Sequence, residues 1–378
     1  MKIKINNIFF YTAYFIFLFS CMFEATVCFL PILWFLKFMS LTMLLIKFFI
    51  SFKSGYKKIT IIKITIVMIC AAISFYYSRD EKYFILLLFL VAAKDINIDK
   101  FIKFDVKLKV LFMLTIILLF FMGYTNVYNM TRSDGMIRYS MGFSHPNVFS
   151  AYVFFIMAEV FYLLYKKNRL CLFIMLLCAF FLIDKITNSR SVMLGLIFLM
   201  VLTILDFEKI KIVKKIPTFK IFIVFFMLSL IIGYTFNESN AFYKALNLIS
   251  SQRIYFMHKY LSQYNINLFG NHIVYVSSLF ASKKNIEAMI LDNSYLLFLL
   301  KYGILNFAVF SFLIKKVLDK YENNNFLLKS IFVALIIFGF FESTFIYINT
   351  NVFLLFLSKV FFNDRKDDEF LYEKKSDI

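Results

Sequence analysis

The residue types that carry reactions are sparse in this chain of 378 residues. Its three histidines are His145, His258 and His272, and its five cysteines lie in apolar runs with no Cys-x-x-Cys pair. No run of His, Cys and carboxylates has the local spacing of a zinc site, so no metal is expected. The sequence holds no phosphate-cradling Gly-x-x-x-x-Gly-Lys loop, no Gly-x-Gly-x-x-Gly and no Gly-x-Ser-x-Gly. What remains is a small set of arginines, amides and carboxylates. Residues 138–147 read Arg-Tyr-Ser-Met-Gly-Phe-Ser-His-Pro-Asn. Gly142 and Pro146 supply turn chemistry at a helix start, with Ser144 or Asn147 near the cap. Arg138 and His145 then sit beside a helix N-terminus, a place that favours an anion; a plain re-entry turn is the alternative. Arg190, in Asn-Ser-Arg-Ser at 188–191, opens an apolar helix at the end where a cation opposes the helix dipole. It could also simply snorkel to an interface. Arg253 falls in the first turn of another helix. Asp292 and Asn293 precede a third, where capping alone would explain them. Arg138, Arg190 and Arg253 together form a candidate anion site, because guanidinium groups bind phosphate through paired hydrogen bonds.

The elements that position these residues follow from composition. Hydrophobic residues make up 62% of the chain and charged residues 17%, where soluble domains run at about 45–50% and about 25%. A soluble or disordered chain is excluded. With only 9 glycines, 3 prolines and no two-residue alternation, a transmembrane barrel is excluded too. A spanning helix needs about 20 mostly apolar residues. Apolar segments occur at 8–23, 29–51, 59–78, 83–94, 108–125, 147–165, 170–186, 190–205, 219–237, 293–314, 326–342 and 344–362. The expected fold is an all-α integral membrane protein, one polytopic domain of about twelve transmembrane helices.

The net charge of +19 orients it. With the N-terminus inside, about 25 basic residues fall on the cytoplasmic side and about 11 outside. Both termini, including the tail 363–378, are expected in the cytoplasm of a cell whose cytoplasmic membrane holds the chain. The loops 126–146 and 238–292 then face outward, carrying all three histidines. In the larger loop, Ile254, Met257, Leu261 and Tyr264 recur at helical spacing, so a short amphipathic helix is expected, capped by Ser250. Basic residues divided among loops do not make a nucleic-acid surface.

The ordered set Arg-x3-Gly-x2-His-Pro-Asn at 138–147, Asn-Ser-Arg-Ser at 188–191, Gln-Arg at 252–253, Leu-Phe-Gly at 268–270 and Asp-Asn-x-Tyr at 292–295 resembles the Wzy-type polysaccharide polymerases and O-antigen ligases. The resemblance covers most of the chain. It implies glycosyl transfer between undecaprenyl-diphosphate-linked oligosaccharides on the outer face of the cytoplasmic membrane, building capsule, O-antigen or exopolysaccharide. It implies no nucleotide sugar, no cofactor and no metal; membrane lipids, a flippase and a chain-length regulator would be partners. Arg190 and Arg253 would hold the diphosphate with Arg138 in support, and Asn147, Asn293 and His272 would contact substrate. Asp292 or His145 would take the proton of the acceptor hydroxyl. Asp292 stands where the ligases carry histidine, which favours the polymerase branch. Asn271-His272 replaces a usual second glycine. A ligase or a lipid-linked oligosaccharide flippase is the alternative.

Overall fold

The computed structural model describes residues 5–26, 31–53, 56, 58–125, 129–131, 135–205, 217–277, 280–281, 284–321 and 325–362. The expected cytoplasmic tail 363–378 and Cys28 lie outside them. The helices are α1 Ile5–Glu24, α2 Ile32–Lys53, α3 Lys58–Ser78, α4 Lys82–Ala92, α5 Ile98–Phe121, α6 Pro146–Leu164 and α7 Arg169–Ile186. They continue with α8 Arg190–Ile204, α9 Thr218–Thr235, α10 Ala241–Ile249, α11 Arg253–Gln263, α12 Ser294–Tyr321 and α13 Phe326–Phe341. Among them α1, α2, α3, α6, α9 and α12 are long and apolar enough to cross a membrane, and α4, α8 and α13 are apolar but shorter. A hairpin of β1 Asn129–Thr131 and β2 Ile137–Tyr139 pairs Met130 with Arg138. Nothing in the periodicity of the loop announced it.

Helices α6 and α13 form the middle of the bundle and bury most of their side chains. The helices α2, α3 and α9 turn large apolar residues outward, among them Phe35, Phe38, Ile62 and Val224. A soluble surface would not tolerate such a perimeter; a bilayer requires it.

Three departures from expectation have physical causes. Helix α5 begins ten residues earlier than the apolar run at 108, because Asn97 accepts the Lys100 amide at 2.9 Å and caps it. Lys109 is therefore buried inside the bundle and not in a cytoplasmic loop. It is held by Asp105 at 2.8 Å, Glu159 at 2.6 Å and the Thr350 carbonyl at 2.6 Å. Second, the run 344–362 is not one spanning α-helix. It forms two 3-10 helices, Ser343–Ile346 and Val352–Val360, parted where Thr350 and Asn351 turn their side chains onto backbone carbonyls at 344, 345 and 347.

Third, α12 is folded at Gly303, whose φ is 86°. Residues twelve apart in a straight helix lie about 18 Å apart. Here the rings of Phe298 and Phe310 stack at 4.8 Å, so the chain doubles back. The loop 267–271 inserts into the break: Ile304 and Leu305 amides donate to the Asn267 and Leu268 carbonyls, and the Asn271 amide to that of Leu300. A Cβ on Gly270 would come to 2.0 Å from the Lys301 carbonyl oxygen, and one on Gly303 to 2.3 Å from that of Leu268. Gly270, from the Leu-Phe-Gly of the sequence pattern, and Gly303 thus serve one backbone-to-backbone contact.

Candidate functional site

The described part of the loop 238–292 contains two short helices, α10 and α11. Ser250 ends α10, and α11 starts from Gln252 in the left-handed conformation, so Ser250 is not the N-cap expected from sequence. The reason is local: the Gln252 amide donates to the Asn247 carbonyl, closing α10 before α11 opens. Ile254, Met257 and Leu261 are buried, as their spacing predicts. This docks α11 on α9 and carries Arg253 to the bundle.

Arg253 meets two carboxylates. Its Nη2 donates to Glu342 Oε1 at 2.7 Å, and its Nε stands 3.6 Å from Asp292 Oδ2. Glu342 is otherwise fixed: the Ser191 hydroxyl donates to its Oε1 and the Ser294 hydroxyl to its main-chain oxygen, each at 2.5 Å. Only 5% of the Glu342 side chain is exposed, against 19% for Asp292, which makes Asp292 the freer of the two. Burial pushes the Asp292 carboxyl above its usual range, and the Arg253 charge opposes that shift. Asn293 caps α12: its Oδ1 accepts the Leu296 amide at 2.9 Å, while its Nδ2 donates to Ser229 Oγ and the Phe340 carbonyl.

A second group abuts the first. Arg138 is buried; its guanidinium donates to the Thr187 carbonyl and to Asn147 Oδ1. His145, rather than Ser144 or Asn147, caps α6, with Nδ1 accepting the Asn147 amide at 3.0 Å. Its pKa is pushed down to about 4, by burial and then by the Arg138 and Arg253 charges. The turn into α8 joins the two groups: Arg138 binds the Thr187 carbonyl, and Ser191, four residues on, binds Glu342. The N-terminal ends of α8, α11 and α12 meet at Glu342 through Ser191, Arg253 and Ser294, and His145 caps α6 beside Asn147, the partner of Arg138. Arg138 is buried and Arg253 is partly exposed, and the helix N-termini beside them add positive potential, an arrangement that can receive an anion.

Not every expected residue joins it. Arg190 is exposed at the rim, donating to the Ile249 carbonyl at 3.3 Å, one residue from the Ser191 that reaches Glu342. His272 is exposed beside the loop that enters the α12 break. Glu342 is the residue that sequence reading missed. It follows the run Ile-Ile-Phe-Gly-Phe-Phe at 336–341 and reads as an interfacial charge; its partner Arg253 lies 89 residues away.

A cavity of about 330 Å³ is lined by Val148 and Tyr152 of α6 and by Thr344, Tyr347 and Asn349 beyond Glu342; Arg138, His145, Arg253, Asp292 and Glu342 do not line it. Its charged lining is balanced: Glu24 and Glu81 against Lys37 and Lys82. Lys82 lies 4.5 Å over the Tyr347 ring, Asn349 donates to the Tyr152 hydroxyl, and the Thr344 hydroxyl is buried with no hydrogen-bond partner.

Comparison with known protein families, with curated proteins and with solved structures found no match to this chain.

Proposed function

We propose that this chain is a Wzy-type polymerase that joins undecaprenyl-diphosphate-linked oligosaccharide repeat units on the outer face of the cytoplasmic membrane. The observation that carries the reading is the Arg253–Asp292–Glu342 centre, built where α8, α11 and α12 begin. Such a centre suits a diphosphate, because the guanidinium fork of Arg253 can exchange its carboxylate contacts for phosphate oxygens. The finer topology belongs to the same proposal: about twelve crossings, both termini inside, loops 126–146 and 238–292 outside.

The step is a displacement. A hydroxyl oxygen of one repeat unit bonds to the anomeric carbon of the other glycan. The bond from that carbon to the diphosphate oxygen breaks, and the electron pair leaves with the diphosphate. The hydroxyl proton passes to a carboxylate. Arg253 and Arg138 neutralise the charge that develops on the leaving group, and Arg190 at the rim meets the diphosphate as it enters. Preorganised charge of this kind is worth about 10²–10³-fold in rate per donor. Asp292 is the better proton acceptor. His145 spends its Nδ1 lone pair on the α6 cap, which leaves the ring proton on Nε2 and no free acceptor. Glu342, more deeply buried and doubly hydrogen-bonded, orients Arg253. Asn147 and Asn293 hold Arg138 and the start of α12 in place. His272 lies at the edge, within reach of a long glycan only.

The test is genetic and chemical. A null strain of the host carries wild type, Arg253→Ala or Asp292→Asn, and lipid-linked glycans are resolved by gel. The reading predicts a polymer ladder with wild type and single repeat units with either variant. Full-length polymer from both would remove the assignment.

One observation favours a flippase instead, the buried Asp105–Lys109–Glu159 group, since charges inside a bundle often line a transport path. The same null strain separates the two: unpolymerised units gather outside if a polymerase is missing and inside if a flippase is missing. A missing ligase would leave long lipid-linked polymer unattached.

A further inference from the structure

A second cavity lies among the other ends of the helices. It measures about 660 Å³, twice the volume of the one lined by Tyr152 and Asn349. Lys63 from α3, Lys94 after α4, Lys316 and Lys320 from the end of α12, and Lys359 from the second 3-10 helix all line it. Among the described residues in its wall only Asp319 carries negative charge. Lysines needed only to orient a membrane protein can spread around the interface; these converge from four segments on one concavity. Such focusing raises the local concentration of anions. Three of the ammonium groups stand over aromatic rings, Lys94 over Tyr56 at 4.2 Å, Lys316 over Phe312 at 5.6 Å and Lys320 over Tyr321 at 5.4 Å, which holds their positions.

The cavity opens onto an apolar track. Ile59 is part of its wall and is 62% exposed. Ile62, Ile66 and Ile69 continue from it along α3 at helical spacing, each more than half exposed. Ten residues of helix cover about 15 Å, the thickness of one leaflet in a hydrocarbon core of about 30 Å. A soluble anion has no use for this track, whereas an acyl chain has. We propose that the cavity binds the phosphate headgroup of an anionic phospholipid, and that an acyl chain lies along the isoleucine track of α3. Basic pockets between transmembrane helices take such headgroups by charge and by shape.

The inference is independent of the polymerase reading, because none of these residues belongs to the Arg253 site. The full chain is purified in neutral detergent and titrated with cardiolipin, phosphatidylcholine or inorganic pyrophosphate. Bound lipid is counted by native mass spectrometry and stability is read as a melting temperature. Cardiolipin should bind at least tenfold more tightly than phosphatidylcholine and raise the melting temperature. The double substitution Lys63→Gln, Lys316→Gln should weaken cardiolipin at least tenfold, with Arg253→Ala unchanged. Should the double variant fail to melt cooperatively, wild type at 1 M salt gives the same reading. Screening must then weaken cardiolipin and spare phosphatidylcholine. Equal retention of the two lipids, or an effect of neither substitution nor salt, overturns the proposal. Stabilisation by pyrophosphate without lipid binding overturns the lipid source. Cardiolipin binding that appears only after removal of residues 363–378 would show that the acidic tail fills the cavity instead.

Discussion

At the scale of single residues, the site is a contest for Arg253. Two carboxylates hold it in the absence of substrate, and the weaker contact, to Asp292 at 3.6 Å, is the one a diphosphate would replace. Lysine at 253 keeps the charge but loses the fork that spans both partners. Arg253→Lys should therefore lower polymerisation by at least tenfold while leaving the melting temperature within a few degrees. Glycan ladders and a thermal melt of the same preparation check this. His145 gives a pH dependence of stability. Its folded pKa, about 4, lies below the ordinary value of about 6.5. The unfolded chain thus binds more protons between those values. The contribution is complete above about pH 6.5 and is lost as pH falls toward 4, on the order of 2–3 kcal/mol in all. His145→Asn keeps a capping side chain and removes the titration. Its melting curve should hold between pH 7 and pH 4.5 where that of wild type drops; parallel curves would contradict the depressed pKa. These residues were visible in the sequence as types in order. Glu342 was not, because an acid at the end of an apolar run carries no mark of a partner 89 positions earlier.

At the scale of elements, apolar runs and caps located most helices to within a few residues, and the 3.6-residue spacing of Ile254, Met257 and Leu261 gave the buried face of α11. What the runs could not show is where an apolar segment stops being one straight helix. Gly303 reverses α12, and the 3-10 segments replace a twelfth span, through backbone contacts that hydrophobicity does not encode. Those contacts are testable. At Gly303, alanine adds a Cβ at 2.3 Å from a carbonyl oxygen and sits at a φ of 86°. Gly303→Ala should cost at least about 2 kcal/mol, seen as a lower melting temperature in detergent. If the variant melts like wild type, the loop 267–271 does not dock in the break.

At the scale of the whole molecule, the large positive charge resolves into two regions. Lysines gather around the 660 Å³ cavity at one end of the bundle, and a few arginines act against carboxylates at the other. Between them lies the Asp105–Lys109–Glu159 group, buried completely, with Tyr14 donating to Asp105 at 2.8 Å. Removing one member of a buried ion pair leaves an uncompensated charge and costs about 3–5 kcal/mol. Lys109→Met should thus reduce folded protein in membranes sharply, and an undiminished yield would point to a transport role in which the group is already flexible. The proposed sidedness rests on the distribution of basic residues among the loops. A cysteine at Lys284 should react with an impermeant thiol reagent added to intact cells, and one at Lys166 only after lysis.

The proposed reaction is transfer of a glycan from a lipid diphosphate at the Arg253 centre. Its most direct test is the purified chain in liposomes, given one lipid-diphosphate-linked repeat unit and no nucleotide sugar. Wild type should convert that unit to a ladder, releasing one undecaprenyl diphosphate for each bond formed, and Arg253→Ala should yield neither. Unchanged repeat units with folded wild-type protein, or a ladder made equally by Arg253→Ala, would contradict it.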